Sequence, residues 1–283
     1  MADVKPSDLA AISALDASDV FIANDNSEAA AEKTKSVTAL VVRDFVLMNG
    51  AVIRPVFTYN GGTTAYTIKI GAGIYDCAGK FCHWTTQITS SAISSPIADT
   101  FYYLYLDYSA ITSGTEITNA ELIWSTTEPT WDETKSGFYN GNDRCVFPWK
   151  TNSGPTNGIE FFHDGGNYLG YADSIEDKSL GDVDTSDVPV VLSIPSFAKR
   201  AKIEYTLNSN GSSTGCFSYW KTTGQTASTG HLLGWTRDGY VIYMIGQADV
   251  ITSSDQSISL YNSVSAAHRI GISTNGWFFP TGM

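Results

Sequence analysis

Residues 101–150 read FYYLYLDYSAITSGTEITNAELIWSTTEPTWDETKSGFYNGNDRCVFPWK. Phe101 to Tyr108 make a strand with almost no polar break. Alternation is legible in it, with Tyr103, Tyr105 and Asp107 on one face and Tyr102, Leu104, Leu106 and Tyr108 on the other. Glu121-Leu122-Ile123-Trp124 has the same strand-like bulk. Glu128-Pro129 then signals a turn, and Gly137, Asn140-Gly141 and Asn142-Asp143 punctuate the approach to Arg144-Cys145-Val146-Phe147. Three short strands joined by tight polar turns predict one wall of an antiparallel sandwich, with one face of each strand buried.

The same signals continue on both sides. Ala65–Ile70 alternates cleanly, Gly71-Ala72-Gly73 turns into Ile74–Cys77, and Ala78-Gly79-Lys80 turns into Phe81–Trp84. Ile159–His163 and Tyr168–Tyr171 are expected to form a hairpin around Asp164-Gly165-Gly166-Asn167. Downstream, strands are expected at Val188–Ser193, Lys202–Leu207, Cys216–Trp220, Leu232–Thr236, Tyr240–Ile245, Ser257–Tyr261, Arg269–Ser273 and Trp277–Phe279. Asp238-Gly239, between Trp235 and Tyr240, is the strongest hairpin signal in the chain. Between the two sets, residues 173–187 (DSIEDKSLGDVDTSD) are acidic and short of large apolar groups, which predicts a linker or long loop. Asp182, Asp184 and Asp187 there lack the EF-hand series and its terminal Glu, so no bound calcium is expected.

The first fifty residues differ. Ser7 caps a short helical turn, strands are expected at Asp19–Ala23 and Thr34–Val37, and Thr38 can cap a helix over Ala39–Met48. Leu40, Val41, Phe45 and Leu47 surround that helix. A segment this poor in large apolar groups cannot form a core alone, so the helix is expected to pack around a symmetry axis or on its own β domain. The resulting division is 1–50 as an attachment and oligomerisation segment, 51–172 as a β-sandwich module, 173–187 as linker and 188–283 as a distal β domain. The fold class is mostly β: antiparallel sandwich domains with a small N-terminal segment carrying one short helix.

Composition narrows the function. Of 283 residues only 16% are charged, and the net charge is −12. An average soluble domain carries about 25% charged residues, and turns and strands rich in Ser, Thr, Asn, Gly and Tyr suit an all-β surface protein. The negative balance argues against nucleic acid, whose phosphates need Lys and Arg. No apolar run is long enough to span a membrane, and the N-terminus has no basic start followed by an apolar core, so neither insertion nor a signal peptide is expected.

Three motifs in order, YLYLDY (103–108 with Tyr103), W-S-T-T-E-P-x-W-D (124–132) and F-Y-N-G-N-D-R-C-V-F (138–147), resemble a module of bacteriophage fibre and appendage proteins; the likeness covers about 64–171. The phrase L-D-A-S-D-V-F-I-A-N-D-N-S followed by K-T-K-S-V-T-A-L is similar to the starts of such chains. The resemblance implies a virion component made in the bacterial cytoplasm, a homotrimer that joins other virion proteins through its N-terminus and meets a host surface glycan or protein through its β domains. It carries no catalytic residue. The alternatives are a purely structural capsid- or baseplate-bound subunit and a polysaccharide depolymerase.

The residues give little support to chemistry. Cys77, Cys82, Cys145 and Cys216 are expected to be buried thiols, with a Cys77–Cys82 cross-strand bridge as the alternative; C-x4-C beside His83 has no second pair to complete a zinc site. His83, His163, His231 and His268 show no metal spacing, no G-x-S-x-G elbow is present, and Asp132, Glu133 and Asp143 carry no glycosidase signature. No enzyme activity, metal or cofactor is therefore expected. Aromatic rings at turns, Trp131, Tyr139, Trp220, Trp235, Tyr240 and Trp277, are the expected ligand contacts, since an exposed ring stacks on the apolar face of a sugar.

Overall fold

The computed structural model describes residues 20–24, 34–38, 53–61, 66–154, 158–209, 215–225, 230–237 and 242–283. The chain divides into two compact units, Met1–Val52 and Ile53–Met283. In the first, β1 (Val20–Asn24) pairs antiparallel with β2 (Thr34–Thr38), Val20 opposite Thr38 and Asn24 opposite Thr34. Both strands lie within a residue of their expected positions. The helix expected over Ala39–Met48, with Leu40, Val41, Phe45 and Leu47, lies outside the described residues.

The second unit is built from strands throughout. Its first half holds β3 (Phe57–Tyr59), β4 (Ile68–Ile70), β5 (Gly73–Cys77), β6 (Lys80–Trp84), β7 (Ile88–Thr89), β8 (Phe101–Leu106), β9 (Leu122–Ser125), β10 (Thr130–Asp132), β11 (Gly137–Asn140) and β12 (Asp143–Lys150). The second half holds β13 (Phe161–His163), β14 (Tyr168–Asp182), β15 (Val188–Val191), β16 (Arg200–Ser209), β17 (Cys216–Thr222), β18 (His231–Thr236), β19 (Tyr243–Ile251), β20 (Ser257–Asn262) and β21 (His268–Phe278). They assemble into sheets ordered β10-β11-β12-β8-β9, β13-β14-β21-β16-β19, β15-β20-β17-β18 and β3-β4-β7, with β5-β6 as a separate hairpin. Every strand pair among the described residues is antiparallel.

β8 explains its own lack of polar breaks. It was expected to bury one face, yet Tyr102 through Leu106 are all buried. On one side Leu104 lies opposite Phe147, whose ring stacks on Phe57 at 4.3 Å and meets Phe161 at 5.1 Å. On the other side Tyr103 meets Phe197 at 6.0 Å. A strand covered on both faces needs apolar bulk at every position. The neighbouring β12 even tolerates Pro148, because it pairs with β11 only at Arg144 and Asp143; beyond them the missing N–H faces no partner strand.

Two expectations are corrected here. Residues 173–187 are largely strand, not linker: β14 continues to Asp182 and pairs with β21 from Tyr168↔Phe278 to Asp182↔Arg269. The acidic composition arises because much of this strand lies at the surface, with Asp173, Ser174 and Glu176 exposed where its register breaks. Register shifts within β14 turn Asp177 inward, where it accepts the Ser193 N–H at 2.9 Å and the Thr274 hydroxyl. Residues 188–283 accordingly complete one compact unit with residues 53–172. The second concerns the strands on either side of Asp238-Gly239, a dipeptide that itself lies outside the described residues. β18 pairs with β17 and β19 with β16, so the strands flanking that dipeptide enter different sheets.

β21 also joins two segments expected as separate strands. The break between them, at Asn275-Gly276, is a bulge within it. A side chain at Gly276 would meet the Leu169 carbonyl oxygen at 2.1 Å, and its φ of 157° is unfavourable for other residues, so glycine is required by close approach.

The end of the second unit is held by two arginines. Arg54 donates to the Met283 carbonyl oxygen through Nε (2.9 Å) and Nη2, to Gly166 O and to Asn167 Oδ1, and lies over the Phe279 ring. Arg144, 2% exposed, donates to Asp76 O at 2.6 Å and Gly282 O at 2.9 Å. It thereby ties the β5–β6 turn to the chain's last residues. Arg144→Met keeps the apolar stem but removes both donors. Urea unfolding is expected to show a loss of about 3 kcal/mol. A loss under about 1 kcal/mol would put the clamp on the level of a surface ion pair.

Candidate functional site

The aromatic residues expected to contact ligand divide sharply. Tyr139, Trp220 and Trp277 are buried and are removed as contacts. Each has a structural role instead. The Tyr139 hydroxyl donates to Asp76 O and accepts from Ala78 N; Trp220 stacks on His231 at 4.4 Å; Trp277 packs on Phe279 at 4.5 Å. Tyr240 lies outside the described residues. Trp131 is half-exposed at the β10 edge, where it covers Gly282 and meets Phe138 edge-on. Trp235 is 54% exposed.

Trp235 belongs to a strip of rings on the outer face of the β15-β20-β17-β18 sheet. Alternation along β17 sends Cys216, Ser218 and Trp220 inward and Phe217 and Tyr219 outward. Phe217 lies opposite Trp235 on β18, and Tyr219 opposite Tyr261 on β20. The rings run Trp235–Phe217 (6.4 Å), Phe217–Tyr219 (6.2 Å) and Tyr219–Tyr261 (5.0 Å), with interplanar angles of 16–27°. Cross-strand aromatic pairs of this kind stabilise a sheet. Here they also leave Phe217, at 45% exposure, and Trp235 open to solvent.

Polar groups flank the strip. The Lys221 ammonium lies over the Tyr261 ring at 5.6 Å and pairs with Asp187 at 2.8 Å, while the Ser263 hydroxyl accepts the Phe217 N–H at 2.9 Å. A row of near-parallel rings bordered by an ion pair and hydroxyls can take an extended ligand with apolar faces and many hydroxyls. Sequence reasoning missed Phe217, Tyr219 and Tyr261. The i, i+2 spacing of Phe217 and Tyr219 was the available signal, and it pointed to a face other than that of Trp220.

Beneath the strip lies a buried polar network. Ser218 Oγ donates to Asn262 Oδ1 at 2.7 Å, and the Asn262 amide is oriented by donating to Val183 O and His268 O. With its proton spent there, Ser218 Oγ accepts from His268 Nδ1, and His268 Nε2 accepts from the Thr236 hydroxyl at 2.8 Å. A nucleophilic serine requires the opposite direction, with imidazole accepting its proton. Ser218 and His268 are both 0% exposed. The network organises a core.

The carboxylates considered at the sequence level act locally. Asp132 is pulled down to about 2 by bonds from Thr134 and Lys135, and Asp143 caps the Tyr108 N–H at 2.9 Å. Asp182 pairs with Arg269 at 3.7 Å, Asp184 accepts the Thr185 N–H at 2.7 Å and Asp187 pairs with Lys221, so the three acids weighed as a calcium loop face different partners. The four cysteines are free and buried. Cys77 Sγ donates to Leu106 O and Asn142 O and Cys82 Sγ to Lys80 O, and the neighbouring Cys77 together with burial pushes the Cys82 thiol up. A cleft of about 560 Å³ opens beside Lys150 and Tyr59, lined by Glu160, Asp173 and Glu176; the Lys150 ammonium is held by Asp99 at 2.7 Å.

Compared with known proteins, the chain matches no family model and no curated protein sequence.

Two buried histidines set an acid limit on this architecture. Burial holds His163 and His268 below the ordinary histidine value of 6.5. His163 Nδ1 accepts the Phe57 N–H at 3.1 Å, which needs a neutral ring. Because the folded values lie below the unfolded one, the unfolded chain binds more protons between them. The associated stability is full above about pH 6.5 and is lost as pH falls through the folded values. The melting temperature is expected to hold steady above pH 7 and decline below about 6.5. His268→Gln and His163→Gln should each flatten that decline, and an unaltered pH slope in both variants would remove histidine protonation as its cause.

Proposed function

We propose that this chain is a bacteriophage virion fibre or appendage subunit. It docks on the particle through residues 1–52 and holds a host-surface glycan on the Trp235–Phe217–Tyr219–Tyr261 strip. The ordered motifs of residues 103–147 support the virion part of the reading. The exposed ring strip carries the recognition part. Its mechanism is binding without bond making. Sugar faces displace water from Trp235 and Phe217, Lys221, Asp187 and Ser263 lie where hydroxyls would meet them, and several copies per particle multiply weak contacts. In this reading residues 39–48 gather copies about a three-fold axis through Leu40, Val41, Phe45 and Leu47.

The test is binding of the full chain to an array of bacterial surface polysaccharides, with Trp235→Ala and Phe217→Ala beside it. Both side chains are half exposed, so the variants should melt within a few degrees of the wild type. Each is expected to lower single-site affinity roughly tenfold, the scale of one lost stacking contact with its buried area. A wild-type chain that binds no polysaccharide, or variants that bind undiminished, would sink the reading.

A further inference from the structure

We propose that copies of this chain join through the free edge of β19, two β19 strands pairing antiparallel about a two-fold axis to continue the five-stranded sheet from one copy into the next. The proposal does not rest on the glycan reading.

β19 is the last strand of its sheet, and among the described residues no strand pairs with its other side. The direction of its backbone groups follows from its inner neighbour. Ser209 N–H donates to Ile242 O, and Thr252 N–H to Lys199 O, so these are hydrogen-bonded pairs of the β16–β19 ladder. Antiparallel pairs alternate, and the register is unbroken from Asn208↔Tyr243 to Arg200↔Ile251. Met244, Gly246, Ala248 and Val250 therefore bond to β16. Tyr243, Ile245, Gln247, Asp249 and Ile251 turn their N–H and C=O groups to the open edge.

Other sheet edges in this unit are short or blunted. β3, β10 and β13 have three residues and β7 has two; β9 has four; β15 has four with Pro189 among them; β18 is irregular opposite Ser218–Tyr219; and β14, which pairs with β13 only as far as Tyr171, is broken by three register shifts and carries Lys178. Such features keep edges from pairing. β19 has nine residues, no proline, no lysine and no bulge. Its outward residues Tyr243, Ile245 and Ile251 are 64%, 59% and 62% exposed.

A second copy is the occupant these features fit. The edge is complementary to itself: a two-fold axis at Gln247 sets Tyr243 opposite Ile251 and Ile245 opposite Asp249, each an outward-bonding residue facing another. Ile251 O already accepts from the Thr222 hydroxyl at 2.8 Å, but a carbonyl oxygen has a second lone pair for the N–H of Tyr243. Charge does not oppose the contact although the chain carries −12, because the only charged group on the strand, Asp249, is paired with Arg200 at 2.6 Å. Nine paired residues with three half-exposed apolar side chains cover on the order of 600 Å² per copy, the lower end of what specific interfaces bury.

The test is the mass of the full chain by light scattering at micromolar concentration, alone and as Ile245→Lys. The two-fold contact predicts an even number of copies (two, or six where residues 39–48 also form a three-fold). Ile245→Lys is expected to halve that number, while Phe162→Lys, at an exposed site on β13, leaves it unchanged. Gln247→Cys supplies a second readout. Hydrogen-bonded antiparallel partners stand about 5.5 Å apart at Cα, within disulfide range. Diamide, which takes up the two thiol hydrogens, should then link copies in pairs, and adding Ile245→Lys should abolish the link. A monomer, an odd-numbered assembly, or a mass indifferent to Ile245→Lys overturns the proposal.

Discussion

The pairing of β14 with β21 is the constraint on which the second unit depends. β21 has one end in each half of the core. At its start His268 sits in the Ser218–Asn262–Thr236 network; at its end Trp277 packs on Phe279 and Phe197. Between them Ile270, Ile272 and Thr274 are buried at alternate positions. Neither half can be removed without leaving one end of this strand uncovered. β14 runs beside it and brings Leu169 and Tyr171 to the second cluster, and Asp177 to Thr274. The two arginines complete the closure. Arg144 comes from β12, and it binds the backbone near the far end of the chain.

This arrangement explains which parts of the fold were legible. Strands whose pattern matched a local turn were placed within a residue or two at their turn-side ends: β1 and β2, the β5–β6 hairpin with Ala78 and Gly79 both at positive φ, and the β13–β14 hairpin. What failed was long-range. Residues 173–187 looked like linker because composition reports exposure, and a strand with one wet face is as polar as a loop. Arg269–Ser273 and Trp277–Phe279 looked like two strands because a bulge breaks the alternation of β21 between them. Asp238-Gly239 looked like a hairpin because nothing local tells whether two successive strands join one sheet or cross between two.

The candidate site was legible to a similar depth. Alternation along Cys216–Thr222 separates Phe217 and Tyr219 from Trp220, but which side faces the core is decided by β16, β20 and β21, which come from elsewhere in the chain. Position near a turn favoured Trp220 and Trp277. Their size is the reason they are buried, since a large ring gains most from leaving water. Tyr139 shows the complementary case: a turn aromatic drawn inward because its hydroxyl has Asp76 O and Ala78 N to bond. Phe217 and Trp235, by contrast, stay half exposed in the company of their own row.

The strip and the β19 edge are separate surfaces, and their separation has a consequence for recognition. The strip lies on the outer face of the four-stranded sheet, whereas β19 ends the five-stranded one. Joining two copies through β19 leaves Trp235 and Phe217 uncovered by that contact and fixes two strips in one rigid body. Two weak sites held at a set distance act as one stronger site toward a repeating polymer, because the second engagement no longer pays the full loss of translational freedom. A repeating polysaccharide presents the same unit many times along its length, so the spacing of the two strips becomes part of its recognition. On the proposed reading, edge pairing would supply what a single shallow ring strip lacks: affinity gained through geometry, with no deep pocket and no further charge on a chain that already carries −12.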